Sequence, residues 1–236
     1  MKKLGYLLLL LLPLVLWNCE KDKEEPSLME RFANMSEEEL AYAREHWLVK
    51  PTQYSSTNEH PASFLISPNP APETQGKYDC AGCASAYLMR FYDENINGVE
   101  LYRSDSFPCK FAEGAYPKCF KILFEEQLKD KGYTAEYYTG TTEDLKNAVN
   151  QGVPVIVLAI YNDKSFHYVP VVGYDDTYFY IQDSVDEFRN ISNNKDYNQK
   201  LEINKFDAMW NIPLEWCQRL FVIIKKSSPS HITSNR

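Results

Sequence analysis

The period of the apolar residues changes near Gly152, and that change limits the folds open to this 236-residue chain. Upstream of it, apolar positions recur at helical spacing. Ser36 to Val49 reads as a helix, with Ser36 and Glu39 as a capping box and Leu40, Ala43 and Trp47 on one face. Asp79 reads as the N-cap of a second helix, in which Ala84, Tyr87, Leu88, Phe91 and Tyr92 fall at i, i+3, i+4, i+7 and i+8, and Asn97-Gly98 closes the segment. Pro117 to Lys131 reads as a third, with proline in its first turn and Gly132 just past its end, and Thr141 to Gln151 as a short fourth stopped by Gly152. Downstream the pattern is that of strands. Val153 to Ile160 is a continuous apolar run suited to the centre of a sheet. His167 to Tyr174, Thr177 to Asp183 and Leu220 to Ile224 read as further strands, with Asp175-Asp176 at the turn between the first two. Residues 186–205 read as loop, and Phe206 to Trp210 as one helical turn. Helices followed by a mostly antiparallel sheet predict an α+β domain.

The two ends read differently. Lys2 and Lys3 precede an almost wholly apolar stretch, Leu4 to Trp17, which is the length of a secretory signal and short for a membrane span. Leu16-Trp17-Asn18-Cys19 resembles the lipobox of bacterial lipoproteins, which would make Cys19 the diacylated N-terminus of an exported protein on the bacterial outer membrane. The charged run from Glu20 to Glu25 resembles the tethers of surface-exported lipoproteins. The expected organisation is a signal peptide over 1–18, a lipidated tether over 19–35, a helix and proline-rich extended segment over 36–73, the working domain over 74–226 and a polar tail over 227–236.

The formal charge of −8 argues against nucleic acid as a partner, because there is no basic patch to neutralise phosphates. An exported chain can keep disulfides, so the cysteines other than Cys19 matter: Cys80, Cys83, Cys109, Cys119 and Cys217. Their odd number leaves at least one thiol unpaired. Cys109 and Cys119, ten residues apart around Gly114, are the favoured pair.

Cys80 sits at the start of a helix. Unpaired amides and the helix dipole there favour a thiolate, and the same amides can bind a developing oxyanion. Of the four histidines, His46, His60 and His231 lie in exposed-looking or polar segments, and only His167 opens an apolar strand. Asp183 ends the next strand. A three-residue loop centred on Asp175 would make His167 and Asp183 cross-strand partners, whereas a two-residue loop would put Ser184 opposite the histidine. In the first register the carboxylate orients the imidazole and stabilises its charged form.

The stretch from Asp79-Cys80-Ala81-Gly82-Cys83 to Phe91-Tyr92 resembles the nucleophile helix of the double-glycine-leader (bacteriocin-processing) cysteine peptidases and their papain-like relatives. Gly152 to Val157, His167 to Asp175 and Ile181-Gln182-Asp183-Ser184 are similar to that family's second half, and to its stand-alone exported members in particular. The resemblance implies a papain-like fold, no cofactor, and a peptide or protein substrate cut by Cys80 as nucleophile, His167 as base and acid and Asp183 as orienter. It also implies a glutamine ahead of the cysteine as oxyanion donor, for which Gln75 is the candidate. A monomer that meets the membrane only through its lipid is expected. Three alternatives stay open. The first is a catalytically inactive binding lipoprotein. The second reads Cys80-x-x-Cys83 as a redox pair, or Cys83 as the nucleophile. The third is a zinc site from Cys80, Cys83, Cys109 and Cys119.

Overall fold

The structure, a computed structural model, describes residues 28–56, 59–111, 114–162 and 165–227. The expected signal peptide, Cys19 and most of the tether and tail lie outside them. Chain order begins with α1 (Leu28–Ala33), α2 (Glu37–His46), β1 (Thr52–Gln53) and β2 (Phe64–Leu65). The buried helix α3 (Cys80–Phe91) follows, then α4 (Gly98–Arg103), β3 (Lys110–Phe111) and β4 (Gly114–Ala115). An irregular helix begins as α5 (Cys119–Lys121) and widens to π geometry over Ile122–Gln127. The second half holds β5 (Tyr133–Thr139), α6 (Thr142–Val149), β6 (Val155–Asn162), β7 (Ser165–Tyr174) and β8 (Tyr178–Ile181). It closes with β9 (Gln199–Glu202), α7 (Ile203–Trp210) and β10 (Leu220–Lys226).

One sheet of eight strands runs β1-β5-β10-β6-β7-β8-β9, with β2 joining β7 beyond the end of β6. Among the described strands only the β1–β5 pair is parallel. The apolar run is central as expected: Val155, Ile156 and Val157 are wholly buried. Alternate residues of that run feed two cores. Ile156 and Leu158 meet Ala84, Tyr87 and Leu88 of α3 on one face of the sheet, while Val155 and Val157 meet Leu145 of α6 and Phe206 and Trp210 of α7 on the other. This alternation is the pleat of a strand covered on both sides.

Several expectations are corrected. Leu28–Ala33, assigned to the tether, is helical, and its Phe32 packs on Phe166 and Trp216 with ring centroids 5.8 and 5.0 Å apart. Asn97-Gly98 starts a helix as well as stopping one, because Asn97 Oδ1 accepts the Glu100 N–H at 2.8 Å. The 186–205 loop contains a strand, β9, in which Gln199 and Leu201 point inward and pair with the edge of β8. The β7–β8 hairpin turns on Asp176 and Thr177, since Tyr174 pairs with Phe179 and the Asp175 N–H reaches the Tyr178 carbonyl at 2.9 Å. A register shift between Val171 and Gly173 follows. Neither register considered for His167 is therefore formed, and β8 ends before Asp183.

Candidate active site

Helix α3 carries Cys80 at its first position. Asp79 occupies the N-cap but makes no side-chain cap: its Oδ2 accepts instead from the Gly76 N–H at 3.0 Å and from the Arg103 guanidinium at 3.1 Å. The Cys80 amide, one of the orphan donors of a first helical turn, thus has no acceptor among the described residues. Small residues let the front of the helix sink into the protein. A methyl on Gly82 would stand 2.4 Å from the Gly98 carbonyl oxygen and 2.5 Å from Tyr102 Cβ of α4. Every residue from Cys80 to Met89 is buried, not just one face as the spacing suggests, and Cys80 itself keeps 6% exposure.

His167 lies on β7 opposite Ala159 of β6, with 4% exposure. Its Nε2 is 2.9 Å from Asp183 Oδ1, although the two residues are not strand partners. The Cys80 side chain lies close enough to the same imidazole to favour its charged form. With Nε2 engaged by the carboxylate, Nδ1 is the nitrogen left for sulfur. Burial alone pushes the imidazole pKa down, but the Asp183 carboxylate and the Cys80 sulfur outweigh it and raise the value to about 10. Asp183 is wholly buried, and its Oδ1 also accepts the Val185 N–H at 2.8 Å.

The segment ahead of the nucleophile is fastened to the loop after Asp183. The Gln75 N–H donates to the Ser184 carbonyl at 2.9 Å, and the Ser184 hydroxyl donates to Gln75 Oε1 at 2.6 Å. Gln75 Nε2 makes no hydrogen bond among the described residues. Arg189 adds bonds to the Glu73 carbonyl at 2.8 Å and the Asp183 carbonyl at 2.9 Å.

The remaining cysteines are free thiols, so the expected Cys109–Cys119 bridge is not formed. Cys119 is wholly buried, and Cys109 Sγ turns toward the His46 carbonyl at 4.0 Å. Burial, with the Glu73, Cys80 and Asp79 charges behind it, lifts the Cys83 thiol to about 12. That is the wrong direction for a redox thiolate or a nucleophile. Among the described residues no three His, Cys, Asp or Glu side chains converge on a metal-sized site, so the four-cysteine zinc arrangement does not assemble. His46 is exposed, and His60 pairs with Glu143 at 2.7 Å. His231 lies outside the described residues.

Two contacts of the site were not legible in the sequence. Tyr161 stands edge-on to His167, with ring centroids 5.0 Å apart at 89°, and gives its hydroxyl proton to Gln199 Oε1 at 2.8 Å. Asn198 grips the backbone of Asp183. Both are ordinary residue types in unpatterned surroundings, and only the fold brings them to the site.

A buried helix that presents a cysteine at its N-terminus to a histidine of an antiparallel sheet defines a papain-like cysteine-peptidase fold. Several solved structures share it, among them the following two. The peptidase domain of Streptococcus ComA, a bifunctional ABC transporter of a quorum-sensing pathway, superposes with a TM-score of 0.50 at 16% identity, over 67% of this chain and 98% of that one. ProCathepsin B from Trypanosoma congolense does so with a TM-score of 0.53 at 14% identity, over 78% and 85%. Residues 66–213 match the model of the Peptidase_C39 like family, and the chain belongs to that family. No curated protein matches it in sequence.

Proposed function

We propose that the chain is a thiol-dependent peptidase that works by acyl-enzyme chemistry, with Cys80 as nucleophile, His167 as base and acid and Asp183 as orienter. The observation that carries this reading is the His167 imidazole bonded to the Asp183 carboxylate at 2.9 Å with the Cys80 side chain close by. His167 takes the Cys80 proton, and the thiolate attacks the substrate carbonyl. The tetrahedral oxyanion is met by the Cys80 amide and by Gln75 Nε2, two donors without partners among the described residues. The carbon–nitrogen bond breaks, the imidazolium gives its proton to the departing amine, and a thioester remains. Water then yields a proton to His167 and attacks the thioester, releasing the acid and restoring the thiol. Membership of a peptidase family supports a peptide or protein as substrate. We place the protein at the cell envelope, held by a lipid on Cys19 as a monomer.

A second reading, a binding lipoprotein with an unused site, is favoured by the near closure of Cys80 and His167, at 6% and 4% exposure. A panel of peptidyl electrophiles separates the two. A peptidase gives an adduct on Cys80, located by mass spectrometry, that disappears in His167→Ala and survives in Cys83→Ala. A binding protein leaves the peptidyl probes unreacted. Loss of the adduct in Cys83→Ala would point to the redox pair instead.

A further inference from the structure

We propose that Asn198 is a positioning residue for the site, which sets the Asp183 carboxylate against His167 by clamping the Asp183 peptide. The proposal rests on the reading of Cys80, His167 and Asp183 given above. Strand β8 ends at Ile181, and the last ladder contact beyond it is the Gln182 N–H to the Pro170 carbonyl at 3.0 Å. Asp183 therefore leaves the sheet with no strand partner, yet it is wholly buried. A buried peptide needs both its donor and its acceptor satisfied. Asn198 supplies both: its Oδ1 accepts the Asp183 N–H at 2.7 Å, and its Nδ2 donates to the Asp183 carbonyl at 2.8 Å. Among side chains only a primary amide offers a donor and an acceptor side by side in this way, so the Asn198 amide stands in for the missing strand.

The clamp is itself anchored. Asn198 is 7% exposed, its N–H bonds the Ile181 carbonyl at 3.1 Å, and its carbonyl accepts from Asn190 and Ile191 at 3.1 and 3.0 Å. An aspartate side chain has only two rotatable bonds, so fixing its peptide leaves Oδ1 a few rotamer positions, of which the Val185 N–H at 2.8 Å selects one. That oxygen meets His167 Nε2 at 2.9 Å. The charged or titratable groups around the imidazole are Asp183, Cys80 and Tyr161, with Arg189 reaching the Asp183 carbonyl. Asn198 touches none of the reacting atoms and acts only through Asp183.

The test uses Asn198→Ala alone and in an Asp183→Ala background, with His167 titrated by NMR of labelled histidine and Cys80 alkylation by iodoacetamide followed against pH. Asn198→Ala is expected to move the His167 titration from about 10 toward the ordinary 6.5. It should also slow alkylation near pH 7 by about tenfold, the equivalent of one pKa unit of lost support for the thiolate–imidazolium pair. In the Asp183→Ala background the same substitution should change neither readout. A titration and rate equal to wild type, or equal changes in both backgrounds, overturns the proposal. If Asn198→Ala folds poorly, Asn198→Gln keeps the amide but displaces it by one methylene, and the same two outcomes decide. Should wild-type Cys80 react no faster than a free thiol, the peptidase reading fails, while the histidine titration still decides the role of Asn198.

Discussion

At the scale of single residues, His167 couples the chemistry to the stability of the fold. Its folded pKa of about 10 stands above the ordinary 6.5, so the protonated ring is the form the fold prefers. A group raised in this way stabilises fully below about pH 6.5, and its contribution is lost as pH climbs through 10. The melting-temperature gap between wild type and His167→Ala should therefore be widest below pH 6.5 and narrow steadily toward pH 10; a gap that widens with pH contradicts the assignment. The sequence could point to this residue because only four histidines had to be sorted. It could not point to Asn198 or Tyr161. An asparagine in a polar stretch and a tyrosine among 17 carry no local mark, and their roles come from contacts that exist only once the strands around them are placed.

At the scale of elements, the contact between α3 and α4 sets where the nucleophile stands. The two helices meet backbone to backbone at Gly82 and Gly98, where a methyl on Gly98 would lie 2.5 Å from Cys83 Cα. Gly82→Ala should destabilise the protein by about 1–3 kcal/mol, the ordinary cost of overpacking, and slow Cys80 alkylation as the front of α3 shifts. Thermal unfolding and the alkylation rate together check this, and an unchanged melting temperature would count against it. Helix α3 was legible because its apolar spacing is long and regular. Helix α4 was not, because Asn97-Gly98 serves as a stop signal and a start signal alike. The His167–Asp183 pairing was anticipated by a route the structure does not use. The hairpin turns later than either expected loop, on Asp176 and Thr177, and Asp183 reaches the histidine from beyond the end of β8.

At the scale of the molecule, the change of period near Gly152 carried the fold class, since the buried helix α3 lies before it and the strands β6, β7, β8 and β10 after it. What stayed hidden were β5, a seven-residue strand upstream of Gly152 in which only Tyr133 and Ala135 are buried, and edge strands such as β1, β2 and β9, two to four residues long, too short for any period to declare itself. The same layering explains how the site is assembled. Cys80 comes from the helix layer and His167 from the sheet, and the bonds from Glu73 and Gln75 to Arg189 and Ser184 tie the two together. The envelope location proposed for the whole chain has its own test. Cys19→Ser should move the protein from the membrane fraction to the soluble one while Cys80 reactivity stays as it was; retention in the membrane fraction would remove the lipid from the account. The central claim is that His167 activates Cys80, and it is tested most directly by the rate at which iodoacetamide alkylates Cys80 at neutral pH, in the wild type and in His167→Ala. Alkylation far faster than that of a free thiol in the wild type, and reduced to the free-thiol rate in the variant, is the predicted result. Slow alkylation of the wild type, or a fast rate indifferent to His167, would contradict it.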